Sequence, residues 1–389
     1  MTTHHAAVVA GAGQAGLAAA HTLMQRGLEA GVDFVVLDAN EGPGGAWRHR
    51  WDSLTLGKAH GIADLPGLPM ERPDPVIPAS ELVSDYYGAY EDFFELSVIR
   101  PARVVQVTSP EGLRTGPLEV TYETGERTHR ITTDHFLNAT GTWDNPFIPW
   151  VPGLQDFEGR QLHTVDYVKK EDFAGQRVLV VGGGLSAVQF LLELEPVVAA
   201  TIWATRRPPN FTDRGFDERW GLDVESAVRE RTGAGLPAAS VVRTTGIPMI
   251  PEYVRGVERG LLVSRGRFER VLPRGVRFGT PLSHRTGGLG PSVREHLALP
   301  ASWDPFPPGH EVEVDVIFWN TGFRPALRHL APLKLRHADG GIRMDGEVRV
   351  AADPRVWLVG YGSTASTIGA TRAGRRAGAD VARRINASR

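Results

Sequence analysis

Two glycine-rich turns, each at the end of an apolar run, limit most strongly the folds open to this chain. The first lies in "AAVVAGAGQAGLAAAHTLMQRG", which starts at Ala6, and the second lies in "RVLVVGGGLSAVQF", which starts at Arg177. A strand that ends in a G-x-G-x-x-G/A turn and continues as a helix is typical of the phosphate-binding start of a Rossmann unit. The sequence therefore predicts an α/β fold with two Rossmann-like dinucleotide-binding domains.

The first turn contains all three glycines of the pattern. Gly11 permits the tight turn, Gly13 lets the backbone approach a pyrophosphate, and Gly16 lets the helix pack closely on the strand. Asp38 follows the next apolar run, where a carboxylate accepts hydrogen bonds from both ribose hydroxyls and repels a 2'-phosphate. We therefore expect this unit to bind a nucleotide with a free ribose diol, such as FAD.

The second turn differs at its third position and after the next strand. Its turn and first helical residues are Gly182, Gly184, Ser186 and Ala187. Where the first unit has an acid, "TIWATRRPPN" places Arg206 and Arg207, whose guanidinium groups pair well with the 2'-phosphate of NADPH. The alternative is two solvated arginines in an arginine-rich chain. We therefore expect the second unit to bind NADPH, with NADH as the less favoured alternative.

Composition excludes several functional classes. The formal net charge of -2 predicts neither a nucleic-acid nor an anionic membrane partner, and the absence of cysteine excludes a disulfide framework and a redox dithiol. No apolar stretch reaches the roughly 18 residues that span a bilayer. The first turn begins too close to Met1 for a signal peptide, so we expect a cytoplasmic protein. No metal-binding motif is present, and no metal is expected.

Apolar runs, turns and prolines suggest a discontinuous arrangement of domains. We predict a FAD-binding domain from residues 1–150 and 311–389, interrupted by an NADPH-binding domain at 151–310. A helix capped by Ser80 is expected to share an apolar side of Tyr86, Tyr90, Phe93 and Phe94. Strands are expected at 103–108, 118–122 and 130–138, over "EVEVDVIFWNTGF", in a hairpin at "GGIRMDGEVRV" and at "PRVWLVGYG", before a terminal helix.

A short signature before the second turn carries a family resemblance. "FEGRQLHTVDY" has the form F-x-G-x-x-x-H-x-x-x-Y/W at Phe157, Gly159, His163 and Tyr167. With the two turns, it makes the chain resemble the class B flavoprotein monooxygenases, which include flavin-containing and Baeyer–Villiger monooxygenases. The resemblance covers nearly the whole chain and is strongest to small soluble bacterial members.

The resemblance implies further cofactor-binding residues. In "GGAWRHRWDSL", which looks like the segment that lies against the flavin, these are Gly45 and Trp47. "NATG" and "NTGFRP" look like the family's two T-G turns, and "WLVGYG" looks like the strand that approaches the ribityl chain. The residues concerned are Thr140, Gly141, Gly322 and Gly360.

The resemblance also implies a reaction. NADPH reduces FAD, O2 adds to form a C4a-(hydro)peroxyflavin, and a small sulfur or nitrogen nucleophile or a ketone is oxygenated. Tyr167, where Baeyer–Villiger enzymes usually have tryptophan, favours heteroatom oxygenation. His163 is a structural hydrogen-bonding group or a proton carrier, and we assign it no acid–base role.

One departure from the family pattern leaves the outcome open. Many members have an asparagine after the W-x-S-L segment, whereas this chain continues with "GKAHGIADLPG", so Lys58 and His60 are the candidate catalytic residues. The alternative is an NADPH oxidase or a flavin-linked reductase that transfers no oxygen atom. The expected partners are a small-molecule substrate, O2 and a second copy of the chain in a homodimer.

Overall fold

The protein is described by a computed structural model of residues 3–59, 62–72, 74–212, 226, 228–238, 246–281 and 298–389. The chain forms two compact units. The first unit comprises Met1–Asp144, Glu225–Val241 and Pro325–Arg389, and the second comprises Asn145–Val224 and Val242–Arg324. Which nucleotide each unit binds stays a prediction.

Strands and helices alternate around each glycine turn. The strands are β1 (Thr3–Ala10), β2 (Phe34–Leu37), β3 (Val98–Ile99), β4 (Arg103–Thr108), β5 (Leu118–Thr124), β6 (Arg127–Asn138), β7 (Arg160–His163), β8 (Arg177–Val181), β9 (Ala200–Ala204), β10 (Phe211–Thr212), β11 (Ile247–Pro248), β12 (Phe268–Leu272), β13 (Gly275–Phe278), β14 (Glu311–Glu313), β15 (Val316–Trp319), β16 (Met344–Asp345), β17 (Arg349–Val350) and β18 (Val356–Leu358). The helices with defined bounds are α1 (Gln14–Gln25), α2 (Ala79–Phe93), α3 (Leu185–Leu194), α4 (Pro251–Glu258) and α5 (Thr367–Ser388), and residues 228–233 are also helical. Short 3-10 turns span Trp47–His49, Leu154–Asp156, Thr164–Asp166, Lys170–Phe173, Pro300–Ser302, Arg328–Leu333 and Gly362–Thr364.

The first unit is built on one large sheet. Its strands run in the order β16-β17-β18-β6-β1-β2-β3, and β3, β2, β1, β6 and β18 are parallel. The antiparallel strands β4 and β5 extend it through β6. Helix α5 packs on α1 at Gly374, where a Cβ atom would lie 2.3 Å from the Ala15 carbonyl oxygen. Leu17, Phe34 and Trp357 are fully buried in the core beneath these helices.

The second unit has a smaller parallel sheet. Its four strands run in the order β7-β15-β8-β9, and all three pairings are parallel. The strands β12, β13 and β14 form a separate antiparallel sheet, and β10 pairs with β11. Because β8 lies between β15 and β9, the turn that follows β8 is next to the residues that follow β15. In the first unit, β1 lies between β6 and β2, so the turn that follows β1 is likewise next to the residues that follow β6.

The predicted α/β fold with Rossmann-like parallel sheets is confirmed. The predicted meander corresponds to β4, β5 and β6, and the predicted hairpin corresponds to β16 and β17. The glycine turns, the strands on either side of them and the terminal helix are also where the sequence pattern predicts them.

The predicted cap of α2 is wrong, and its predicted apolar side is confirmed except at Phe93. Helix α2 begins at Ala79 with Pro78 as its N-cap, because the Ala79 N–H donates to the Leu54 carbonyl and fixes the helix start ahead of Ser80. Tyr86 and Tyr90 are buried together with Tyr87, and Phe94 packs against the same core. Phe93, the last residue of the helix, is 66% exposed because it lies beside this apolar stripe and not on it.

The predicted single strand over "EVEVDVIFWNTGF" is also wrong, because the chain changes sheets within it. Strand β14 pairs with β13, whereas β15 pairs with β7 and β8. Asp315 lies between the two strands, and its carboxylate accepts hydrogen bonds from the backbone and the guanidinium of Arg177. The Arg177 guanidinium holds the pKa of Asp315 down at about 2. This ion pair fixes the point at which the chain crosses between sheets.

Candidate nucleotide-binding sites

The turn after β1 is shaped so that only glycine fits at two of its positions. Gly11 has a φ of +102°, and a Cβ atom there would lie 2.4 Å from the carbonyl oxygen of Ala139, which follows β6. At Gly16, in the first turn of α1, a Cβ atom would lie 1.8 Å from the Gly11 carbonyl oxygen. The helix and the strand therefore meet at backbone distance, as the sequence pattern predicts.

The N-terminus of α1 forms a cradle without side chains. Gly13 is its N-cap in an extended conformation (φ -82°, ψ -173°), and no side chain caps the helix. Gly45 lies against it, since a Cβ atom at Gly45 would be 2.8 Å from the Gly13 Cα. The first N–H groups of a helix have no intrahelical acceptor, and here they are open to an anion.

Asp38 follows β2 and is held by groups of the protein itself. Its Oδ1 accepts from the backbone N–H and the side-chain amide of Asn40, both at 3.1 Å. Its Oδ2 accepts from Nε and Nη2 of Arg100, at 3.2 and 3.1 Å. Arg100 also donates to both oxygens of Glu91, at 2.5 and 2.7 Å. The three side chains form a nearly buried ion-paired cluster, so the carboxylate has a fixed orientation without a ligand.

The pKa shifts of this cluster follow from burial and pairing. Burial is the main cause that raises the pKa of Glu91, Asp38 and Asp92 raise it further, and the Arg100 guanidinium offsets only part of the rise. Burial lowers the pKa of Arg100, but the two carboxylates outweigh it and the net shift is upward. Sequence reasoning missed Arg100 and Glu91, because β3 has only two residues and is hard to recognise as the strand next to β2.

The turn after β8 repeats the backbone geometry of the first. Gly182 has a φ of +143°, and a Cβ atom there would lie 2.1 Å from the carbonyl oxygen of Asn320, which follows β15. Gly184 is the N-cap of α3 (φ -103°, ψ 175°), again with no side-chain cap. Ala187 is fully buried, and Ser186 is half-buried in the first turn of the helix. This helix N-terminus is also open to an anion.

Arg206 and Arg207 follow the last residue of β9, Ala204, as the sequence predicts. Arg206 is exposed and forms no ion pair with any residue that the structure describes. Arg207 is half-buried, and its Nε is fully shielded from solvent with no acceptor among the described residues. The backbone here is anchored by Thr205, whose hydroxyl donates to the Arg207 carbonyl at 2.5 Å and bonds to the Ser264 hydroxyl at 2.7 Å. Neither guanidinium therefore has a counter-charge among the residues that the structure describes.

The "NATG" turn follows β6 and belongs to the first unit. The Thr140 hydroxyl donates to the Ala326 carbonyl at 2.8 Å, and Gly141 has a φ of +65°. Asn138 is buried, and its Oδ1 bonds to Nε2 of His329 at 2.6 Å. Burial lowers the pKa of His329 to about 4, so the imidazole is neutral at pH 7 and donates to Asn138 through Nε2–H.

The "NTGFRP" turn follows β15 and belongs to the second unit. The Gly322 carbonyl accepts from the Phe147 N–H and from Nε2 of His163, both at 3.0 Å. Nδ1 of His163 accepts from the Val165 N–H, so both ring nitrogens have partners in the protein. Burial lowers the pKa of His163. Of the two roles open for His163, the structure supports the structural hydrogen-bonding one.

The other residues of the family signature form part of the core of the second unit. Tyr167 is buried against the rings of Phe173, Phe190 and Phe318, and its hydroxyl donates to Glu193 at 2.7 Å. Phe157 is also buried. These contacts explain the aromatic residue at position 167 by packing. They give no support for a preference between heteroatom and carbonyl oxygenation.

The remaining candidate residues differ in their surroundings. Trp47 begins a 3-10 turn and is half-buried. Gly360 has a φ of +78° after β18, and its N–H donates to the Thr364 hydroxyl at 3.0 Å. Lys58 is exposed, and its Nζ donates to the Ser53 carbonyl at 3.3 Å. His60 lies outside the described residues.

A surface cavity of about 410 Å³ in the first unit is not lined by any of these residues. Its walls include Glu347, Arg376, Asp380 and Arg383. The Glu347 carboxylate pairs with Arg376, and Asp380 pairs with Arg383, so its charges are largely satisfied within the protein. We therefore place the candidate nucleotide sites at the two turns rather than in this cavity.

Comparisons with known proteins agree with two nucleotide turns in one chain. Residues 8–228 match the model of a family described as pyridine nucleotide-disulphide oxidoreductase. A solved flavin-containing monooxygenase from Stenotrophomonas maltophilia is 32% identical, with a TM-score of 0.74 and 98% of each chain covered. The chain belongs to the flavin-containing monooxygenase family.

Curated relatives agree with this flavin-containing monooxygenase assignment over part of their length. An indole-3-pyruvate monooxygenase from Oryza sativa subsp. japonica is 34% identical over 189 residues, which are 48% of this chain and 44% of the relative. A Baeyer-Villiger monooxygenase from Streptomyces coelicolor is 31% identical over 210 residues, 53% of this chain and 38% of the relative. The matched stretch thus spans about half or less of these relatives.

Two further observations concern other kinds of site. Within the part of the chain that the structure describes, no helix is both long and apolar enough to cross a bilayer. The same residues contain no cluster of three or more side chains suited to hold a metal ion. The chain has no cysteine, so the dithiol chemistry in the name of the matched family model has no residues to perform it.

Proposed function

We propose that the protein is a FAD-dependent monooxygenase that oxidises NADPH and uses O2 to oxygenate a small sulfur or nitrogen nucleophile or a ketone. One observation carries the proposal: two open helix N-termini are followed by opposite recognition groups. The first is followed by the buried carboxylate of Asp38, and the second is followed by Arg206 and the unpartnered Nε of Arg207. A free ribose diol suits the first, and a 2'-phosphate suits the second.

The first unit fits FAD because the bare backbone at Gly13, the N-cap of α1, lets a pyrophosphate approach the helix N-terminus. Gly11 and Gly16 admit no side chain, and Gly13 and Gly45 bring two bare backbone segments together. We assign to FAD the residues Gly11, Gly13, Gly16, Asp38, Gly45, Trp47, Thr140, Gly141 and Gly360.

The second unit fits a phosphorylated nucleotide because Arg206 and the Nε of Arg207 have no partner among the described residues. A 2'-phosphate would supply acceptors for Arg207 Nε and for the exposed Arg206, whereas NADH has none at that position. We assign to NADPH the residues Gly182, Gly184, Ser186, Ala187, Arg206, Arg207 and Gly322.

The protein's part in the reaction is to bind, orient and exclude water. Bound FAD supplies two-electron transfer and the activation of O2. The neutral, buried imidazoles of His163 and His329 hold the two T-G turns in place. Lys58 and His60 stay predictions as catalytic residues. The homodimer and the cytoplasmic location also stay predictions, and size-exclusion chromatography with light scattering tests the first.

The test is an electron balance with three substrate classes: a thioether, a tertiary amine and a cyclic ketone. NADPH oxidation, O2 uptake, hydrogen peroxide and oxygenated product are measured together. We expect at least one class to give product that accounts for the NADPH not recovered as peroxide. If all the NADPH appears as peroxide with every class, the protein is an oxidase. If NADPH does not bleach the bound flavin without O2, the proposal is wrong at its first step.

A further inference from the structure

The guanidinium of Arg50 lies within a cage of three tryptophans in the first unit. Its central carbon is 4.3 Å from the ring centroid of Trp143 and 5.9 Å from those of Trp47 and Trp51. The Arg50 N–H donates to the Trp47 carbonyl at 2.9 Å, which closes the 3-10 turn and places the side chain among the rings. All three distances are within the range of cation–π attraction.

This cation has no counter-charge among the residues that the structure describes. No described carboxylate pairs with Arg50, and its Nε is shielded from solvent without a hydrogen-bond acceptor. Burial alone lowers the pKa of Arg50 to about 10, so the side chain is still charged at pH 7. The neighbouring Arg48 is different, since its Nη1 donates to the Pro43 carbonyl at 2.7 Å.

Cation–π attraction does not replace a counter-charge or a hydrogen-bond acceptor. Contacts of this kind are individually weak, and the half-buried Arg50 side chain has an Nε–H that is shielded from water and unpaired among the described residues. A shielded donor without an acceptor is unfavourable, and an anion that paired with it would remove that cost. Arg50 is therefore held in a position where an incoming anion would gain a preorganised partner.

The segment that carries Arg50 also reaches the phosphate cradle. Gly45, five residues earlier in the chain, packs against Gly13 at the N-terminus of α1. The 3-10 turn Trp47–His49 lies between Gly45 and Arg50. The Trp47 N–H at its start donates to the Gly44 carbonyl at 3.0 Å. The unpaired cation and the open helix N-terminus thus belong to one short structural element.

We propose that Arg50 is a cofactor-binding residue whose counter-charge is an anionic group of the flavin nucleotide bound to the first unit. The inference rests on the proposed function, because it requires that this unit binds FAD. Two groups of FAD have the required chemistry: the pyrophosphate, and the flavin ring, which gains negative charge on reduction. The tryptophan cage holds the planar guanidinium in one orientation and keeps water from neutralising the pair.

The test compares three variants of the full-length protein. Arg50→Met removes the charge but keeps an unbranched side chain in the cage, Arg50→Lys keeps the charge without the planar fork, and Arg48→Met is the matched control. For each variant, the dissociation constant for FAD and the reduction potential of the bound flavin are measured.

The two possible sources of the anion give different results. If Arg50 pairs with the pyrophosphate, Arg50→Met weakens FAD binding at least tenfold and leaves the potential unchanged. If it pairs with the reduced ring, the binding of oxidised FAD changes little and the potential falls. A tenfold loss of preference for the reduced form is about 30 mV for two electrons. In either case, the affinity or the potential changes less in Arg50→Lys than in Arg50→Met, and Arg48→Met changes neither quantity.

One result overturns the inference without touching the proposed function. If Arg50→Met binds FAD as tightly as the wild type, at the same potential, the cage is only structural, and a lower melting temperature would be its sole effect. If Arg50→Met does not fold, Arg50→Gln decides, because it also removes the charge, and unchanged binding and potential there overturn the inference. Failure of the wild-type chain to bind FAD would instead refute the proposed function itself.

Discussion

The two glycine turns share one backbone geometry but differ in the side chains that come after the next strand. In each, the glycine after the first strand faces the carbonyl of a residue that follows the neighbouring parallel strand: Gly11 faces Ala139, and Gly182 faces Asn320. Each helix is then capped by a glycine in an extended conformation without a side-chain hydrogen bond. The backbone alone therefore accounts for the capacity of both turns to hold a phosphate.

The recognition groups differ in whether the protein already satisfies them. Asp38 is hydrogen-bonded by Asn40 and Arg100, whereas Arg206 and the Nε of Arg207 have no partner among the described residues. A satisfied carboxylate suits a nucleotide that stays bound and makes few new contacts there. Unsatisfied guanidinium groups suit a nucleotide that brings its own charge and exchanges. This difference supports our proposal that the residues after the second strand of each unit determine which nucleotide binds there.

The largest expected effect comes from Gly16→Ala, which gives the first glycine turn the alanine that the second turn has at the last position of its pattern, Ala187. The Cβ atom of Gly16→Ala would lie 1.8 Å from the Gly11 carbonyl oxygen, so the backbone must move. We expect a cost of about 3 kcal/mol, which is roughly a 100-fold weaker affinity for FAD. Titration of the protein with FAD and thermal unfolding measure it.

The reverse exchange, Ala187→Gly, is the control. It introduces no clash and costs only about 1 kcal/mol of helix propensity. Propensity by itself would make Gly16→Ala stabilising by a similar amount. A more stable Gly16→Ala variant that still binds FAD would therefore show that the two turns are interchangeable.

A smaller effect is expected from neutralising the arginines of the second unit. Arg207→Gln removes the donor that is buried without a partner, and Arg206→Gln removes an exposed one. A hydrogen bond to a charged group contributes about 1.5–3 kcal/mol, so the KM for NADPH should rise roughly 10- to 100-fold. The rise should be larger for Arg207→Gln, while the KM for NADH stays within about twofold.

Steady-state kinetics with both nucleotides measures this difference. Equal increases for NADPH and NADH in Arg207→Gln would mean that the arginine supports the local backbone and does not bind the 2'-phosphate. A matched control is Arg259→Gln, since Arg259 is an exposed arginine of the second unit that already pairs with Glu195. It should leave both constants unchanged.

The sequence could predict the turns because they depend on local backbone constraints. The backbone admits only glycine at Gly11 and Gly16, so both residues can be recognised in the sequence. The strand before them and the helix after them have the apolar periodicity expected of these elements. Asp38, Arg206 and Arg207 could be predicted for the same reason, since each comes directly after a recognisable strand.

The partners of these residues could not be predicted, because tertiary contacts bring them together. Arg100 reaches Asp38 from a two-residue strand, and Trp143 completes the cage around Arg50 from a different part of the chain. The break between β14 and β15 was missed because Asp315 looks like one polar position in an alternating strand. The strand pairings show that the chain changes sheets there, and Asp315 pairs with Arg177 at that point.

The comparison between the units extends to the histidines that hold the T-G turns. His329 bonds to Asn138 in the first unit, and His163 bonds to Gly322 in the second. Both are buried, and burial lowers the pKa of each. The Gly322 carbonyl and the nearby Asp166 carboxylate favour the imidazolium of His163 but do not outweigh burial, whereas burial is the cause of the shift at His329. Acid should therefore weaken both turns through the same physical step.

The smallest expected effect is the pH dependence that His329 contributes to stability. Its pKa is about 4 in the folded protein and about 6.5 when unfolded, so the unfolded chain binds more protons between these values. The stability is therefore full above pH 6.5 and falls as the pH drops towards 4. Between pH 7 and pH 5 the loss from this group is about 2 kcal/mol.

His329→Gln keeps a donor for Asn138 but does not titrate, so it should lose about 2 kcal/mol less than the wild type over the same interval. Urea unfolding at pH 7 and pH 5 measures the free energy of unfolding of both proteins. Identical losses would mean that His329 is protonated at little cost in the folded protein. The acid sensitivity would then come from other groups, and His163 in the second unit would be the next to replace.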